Sequence, residues 1–139
     1  MQDEAEKYAK LFPECKKLNL IAHNCCCAST ALWIMDIPPE KHLEIIVEEY
    51  GKSLDEECTV TWAPFFKNVC GKDIKVEFKD IKSLSEVKNI KGKILVKFKE
   101  GKNAHWVGVE KSKVAYNSIA YSNCVTNGKP VTARIITFI

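Results

Sequence analysis

The stretch Asn24-Cys25-Cys26-Cys27-Ala28-Ser29-Thr30-Ala31-Leu32-Trp33-Ile34-Met35 decides how the rest of the chain is read. Adjacent cysteines lead into small residues and then into large apolar ones. Asn24 is a good N-cap, so the run predicts a helix whose first turn carries the thiols. At that end the backbone N–H groups are unpaired and the macrodipole is positive, which favours a thiolate. A cysteine placed there can titrate well below a free thiol. Ala28, Ser29 and Ala31 allow other backbone to approach closely, and Leu32, Trp33 and Ile34 make the helix apolar on most sides. A plain core helix with packed thiols is the alternative reading, since cysteine is among the most buried residue types. Consecutive helical residues point about 100° apart, so only one of the sulfurs can face a given partner.

Outward from this helix the pattern divides in two. Before it, Ala5, Tyr8, Ala9 and Phe12 share one face of a short amphipathic helix that Pro13 ends. After it, Pro38-Pro39 close one helix and open the next. Leu43, Ile46, Val47 and Tyr50 follow helical spacing, with His42, Glu40, Glu44, Glu48 and Glu49 expected to face water and Gly51 as C-cap. Thr61 opens a further helix through Phe65, Phe66 and Val69, stopped by Gly71. From there the period shortens. Ile74, Val76 and Phe78 alternate with charged residues, and so do Ile94, Val96 and Phe98 in the next run. Ser83-Leu84-Ser85-Glu86 between them has the form of a capping box. His105–Glu110, Val114–Asn117 and Val131–Phe138 complete a series of short strands separated by turns at Lys111-Ser112-Lys113 and Asn127-Gly128. Helices first and a meander of antiparallel strands second is an α+β arrangement.

At 139 residues the chain has room for one domain, 1–139, with a real core. A net charge of +3, with lysines spread through the second half, gives no basic block and so no nucleic-acid partner. No window approaches the roughly 18 apolar residues of a membrane span, and the acidic start is unlike a signal peptide. Seven cysteines with irregular spacing, no CxxC pair and no His/Cys ladder predict no metal and no cofactor. Free thiols in a reducing, cytoplasmic setting are the simplest inference. No sequence feature specifies an oligomeric state.

Two polar residues downstream complete the chemistry. His105 begins the apolar strand Ala104-His105-Trp106-Val107-Gly108-Val109, and Asn117 ends the next strand. Antiparallel pairing about Lys111–Lys113 brings them to one sheet end. A thiol at a helix start, a histidine to take its proton and an amide to fix the imidazole tautomer are what nucleophilic thiol chemistry needs. Trp62, Trp106, Phe65 and Phe66 could line a cleft, although aromatics at such spacings also build cores.

The order Cys25, His105-Trp106-Val107-Gly108-Val109, Asn117 resembles the papain-like cysteine peptidase superfamily, and within it the small C39-like bacterial peptidases. Tyr8-Ala9-Lys10-Leu11-Phe12, Asn24-Cys25 and Asp55-Glu56-Glu57-Cys58-Thr59-Val60 are also similar to an uncharacterised papain-like family of spirochetes and phages. The resemblance implies a papain-like α+β fold and a cysteine peptidase, isopeptidase or amidase acting on a peptide or amide substrate. It implies Cys25 as nucleophile, His105 as base and Asn117 as orienting residue. Cys26 is the second choice for nucleophile and Cys27 the third. Family members carry a glutamine six residues before the nucleophile as oxyanion donor. Asn19 stands there, with the same donor on a shorter arm. A catalytically inactive binding or assembly module on the same fold is the competing expectation.

Overall fold

A computed structural model describes residues 25–55, 58–118 and 123–139. The amphipathic helix expected over 3–12, Asn19 and Asn24 lie outside the described residues.

The cysteine-bearing helix, α1, runs Cys26–Ile34. Its N-cap position is held by Cys25, whose carbonyl accepts the N–H of Ser29 at 3.0 Å. The helix therefore begins one residue later than a cap at Asn24 implies. A 3₁₀ turn over Pro39–Lys41 leads into α2, His42–Glu49. The next helix, α3, spans Trp62–Cys70 and ends at Gly71, whose φ of 73° is the left-handed cap conformation that glycine adopts without strain.

The strands are β1 (Ile74–Asp80), β2 (Lys93–Glu100), β3 (Asn103–Glu110), β4 (Lys113–Tyr116) and β5 (Lys129–Phe138), with a one-turn helix, α4 (Asn123–Thr126), before the last. They form one antiparallel sheet in the order β1-β5-β2-β3-β4. This is α+β, but the sheet is not the simple meander expected from the turns. The last strand inserts between β1 and β2. It can do so because Ala133 and Ile135 serve one face while Ile136 serves the other, as a strand covered on both sides requires.

The alternation of side chains sorts the core onto two faces. Leu95, Trp106 and Ile136 belong to the face on which α1 lies, packed with Leu32, Ile46, Phe65 and Phe66. Val96, Phe98, Val107, Val109 and Ala133 belong to the opposite face, closed by Ile81 and Val87. The helix seats on β3 at one close approach: a Cβ built on Gly108 would fall onto the ring of Trp33. That ring stacks on Tyr116, with centroids 5.9 Å apart and planes 12° from parallel. The Lys93 ammonium stands 4.8 Å from its centroid, and Lys93 also bridges to Asp36 just past the helix end. Both contacts hold α1 at a defined height over the sheet, which places its first turn beside the start of β3.

Candidate functional site

The β3–β4 hairpin positions two of the expected site residues. Its turn residues Lys111 and Ser112 have φ of 54° and 63°, the doubly left-handed geometry that matches strand twist. Pairing runs from Glu110 opposite Lys113 to Gly108 opposite Tyr116 and stops there. Asn117 follows at once, and its Oδ1 lies 2.6 Å from Nε2 of His105. An amide oxygen only accepts, so Nε2–H donates and Nδ1 keeps its lone pair. His105 is 4% exposed, and burial lowers its pKa, with the Asn117 bond opposing part of that shift.

The three adjacent sulfurs go to three different places. Cys25 is wholly buried and bonded to Cys58, their Cα atoms 5.6 Å apart, a normal disulfide span. The expectation of free thiols throughout fails at this pair. As a disulfide sulfur Cys25 has no thiol to deprotonate, so the first choice of nucleophile does not fit this structure. Nothing in the irregular cysteine spacing announces the bond, because it joins residues 33 apart through tertiary contact. Cys26 is the first residue of α1, and the Trp106 N–H points to its Sγ at 3.4 Å. Because β4 has already ended, this edge of β3 is open to the helix. Cys27 is half-buried, and its thiol is pushed far up, foremost by burial and then by Cys26 beside it, while Arg134 and Lys97 pull the other way.

His105 and Trp106 are successive strand residues and point to opposite faces, with α1 on the Trp106 face. Among the described residues the imidazole is hydrogen-bonded to Asn117 and to none of the thiols. The structure thus joins His105 to Asn117 and brings Cys26 to the neighbouring backbone, one residue away along β3.

A second polar cluster lies under the same hairpin. His42, expected to face water, is 0% exposed. A helical side chain leans toward the N-terminus of its helix, and here the ring reaches back so that Nε2 donates to the Ile37 carbonyl at 2.8 Å. Its Nδ1 lies 2.9 Å from Ser29 Oγ and 3.2 Å from the Tyr116 hydroxyl, which is 2.5 Å from Ser29 Oγ. Burial lowers the His42 pKa, and the Ile37 carbonyl offsets part of that. Burial raises the Tyr116 hydroxyl, with the Ser29 bond opposing it. The sequence signal for this cluster is Ser29, which with Thr30 is polar in a helix whose other residues are apolar. Glu49 is also buried, where the expectation was water. Its carboxylate accepts from Ser53 Oγ at 2.8 Å and Asn68 Nδ2 at 3.2 Å.

Trp62 and Trp106 line a pocket of about 240 Å³ next to the start of α1, with Cys27 and Arg134. Phe65 and Phe66 are fully buried in the core instead. Among the described residues no group of three or more His, Cys, Asp or Glu could hold a metal ion, and no helix is long and apolar enough to cross a membrane. Compared with protein-family models, curated proteins and solved structures, the chain has no match.

Proposed function

We propose that this protein is a thiol hydrolase of papain-like architecture, cleaving a peptide or amide bond through Cys26, His105 and Asn117. The observation that carries the reading is the 2.6 Å His105–Asn117 bond at the sheet end where α1 delivers a thiol to β3. Asn117 holds the proton on Nε2, which leaves Nδ1 as the base. Cys26 takes the nucleophile's role from Cys25. It sits at the positive end of α1, where a thiolate is favoured. His105 and Cys26 lie toward opposite faces of β3, so the proposed reaction requires a rearrangement at this sheet end that carries Sγ from the Trp106 N–H to Nδ1. Catalytic hydrogen bonds are often long or poorly aligned without substrate and tighten in the complex.

In the proposed reaction Nδ1 takes the thiol proton as Sγ bonds to the carbonyl carbon. The amine leaves with that proton and a thioester remains. Water attacks the thioester, giving its proton to Nδ1, and the thiol regains a proton as the acid departs. Asn19 is the proposed side-chain donor to the oxyanion. The Cys25–Cys58 bridge and the cytoplasmic placement drawn from the cysteine count make opposite redox demands, since a structural disulfide persists in oxidising surroundings.

An active ester tests the reading without a known substrate. With p-nitrophenyl acetate, one equivalent of nitrophenolate should appear in a burst, with the acetyl group on Cys26. Cys26→Ala should abolish the burst, and His105→Ala should slow it by about a hundredfold. Slow acetylation scattered over lysines, with no burst, would overturn it. That result would favour the second reading, a non-catalytic binding module, which has in its favour that His105 bonds no thiol among the described residues.

A further inference from the structure

We propose that the pocket beside α1 is a subsite for a carboxylate. Its assignment as a substrate subsite rests on the thiol-hydrolase reading, whereas the binding itself does not. Trp106 connects the two places. Its backbone N–H meets Cys26 Sγ, and its ring walls the pocket. A chain lying across Cys26 therefore has this pocket next to it. At about 240 Å³ it is smaller than the roughly 300–1,000 Å³ of sites that enclose a whole small ligand. It suits one side chain or a chain end.

The walls choose the chemistry. Trp62, Trp106 and Phe78 are aromatic, and Arg134 is the charged residue among the lining. The Arg134 guanidinium carbon lies 4.2 Å from the Phe78 ring centroid and 5.2 Å from that of Trp106. One of its terminal nitrogens, Nη1, donates to Thr132 Oγ1 at 2.7 Å and to the Ala133 carbonyl at 3.3 Å. The guanidinium is thus held in place while its remaining donors stay available, and a planar fork of this kind matches a carboxylate. Lys97 adds a second cation, its ammonium 6.0 Å from the Trp106 centroid. Among the described residues neither Arg134 nor Lys97 pairs with a carboxylate, and the lining contains no Asp or Glu. Both cations act on the Cys27 thiol in the pocket wall, so their field reaches inside. Phe78 is 64% exposed yet covers Arg134, an arrangement that shields the cation from water on one side.

A carboxylate can come from an acidic side chain or from a chain terminus, and three probes separate these. N-acetyl-glutamic acid α-amide carries only the side-chain carboxylate, N-acetyl-glutamine only the terminal one, and N-acetyl-glutamine amide neither. Each is titrated into the whole chain while the indole N–H resonances are followed by NMR. Trp33, which projects from α1 and stacks on Tyr116, serves as the internal reference. One of the two acids should shift Trp62 and Trp106, leave Trp33 in place, and bind at least tenfold tighter than the neutral amide. Which acid does so identifies the source. Arg134→Gln should erase the preference and Lys97→Gln should narrow it. If Arg134→Gln does not fold, Lys97→Gln and weakening by added salt still decide the matter. Equal binding of all three probes, no binding by any, or shifts confined to other resonances would overturn the proposal. Cys26→Ala should bind the acid as wild type does, so loss of turnover and loss of the subsite are read separately.

Discussion

His42 and His105 stand on either side of one hairpin and are bonded differently. Both are buried and both are held below the ordinary imidazole pKa. His42 has both ring nitrogens engaged, one by the Ile37 carbonyl and one by the Ser29 and Tyr116 hydroxyls. His105 has one nitrogen engaged, by Asn117, and the other carries no hydrogen bond among the described residues. A fully satisfied imidazole fixes structure, whereas one with its tautomer set and a lone pair to spare can take a proton. Tyr116 links the two, since its hydroxyl belongs to the His42 cluster and its chain neighbour is Asn117. The buried cluster thereby fixes the strand end that carries Asn117.

Truncating each ring separates the two histidines most sharply. His42→Ala leaves the Ile37 carbonyl and two hydroxyls short of a buried partner and opens a cavity, and it should cost about 2–4 kcal/mol. His105→Ala should cost about 1–2 kcal/mol, because it removes a single bond at the sheet end. Chemical denaturation of both variants checks this. Equal losses would make both histidines structural. A Gly108→Ala variant tests the seat that sets the height of α1. Its methyl group meets the Trp33 ring, and a loss of about 1–3 kcal/mol is expected by the same measurement.

Smaller effects sharpen the link between the clusters. Tyr116→Phe keeps the stack on Trp33 and removes only the hydroxyl, so about 0.5–1.5 kcal/mol of stability should be lost. If Tyr116 positions Asn117, the variant should also broaden or shift the His105 ring resonances. The smallest effect is on pH dependence. A folded pKa below the unfolded value of about 6.5 means that the unfolded chain binds the proton first. Each histidine therefore contributes its full stabilisation above about pH 6.5 and loses it as pH falls through its folded pKa. Denaturation midpoints should drop on acidification through that range, and His42→Gln should flatten the drop.

Much of the frame was legible because it rests on local rules. The switch from helical spacing to alternation near Gly71, the stop at Gly71 itself and the strand boundaries follow from residue order alone. The meeting of His105 and Asn117 follows from counting outward from a tight turn. What was illegible depends on distant residues. The insertion of β5 between β1 and β2 is a choice among pairings that alternation does not distinguish. The Cys25–Cys58 bond and the burial of His42 and Glu49 come from tertiary neighbours far along the chain. Helical spacing put His42 and Glu49 among charged residues, and so on the wrong side of α2. That Cys25 is bonded rather than a free thiol was missed for the same reason. Three adjacent cysteines look alike until the sheet and the residue 58 loop each claim one sulfur.

In the proposed mechanism Cys26 is a thiol activated by His105. Site-resolved alkylation with iodoacetamide across a pH series, read by mass spectrometry in wild type and His105→Ala, tests it most directly. Cys26 should be the fastest-reacting cysteine near neutral pH. Its rate at pH 7 should fall at least tenfold in His105→Ala, while Cys27 and Cys70 are unchanged. If Cys26 instead reacts with an ordinary thiol pKa of roughly 8.5, or at the same rate in both proteins, no catalytic pair exists.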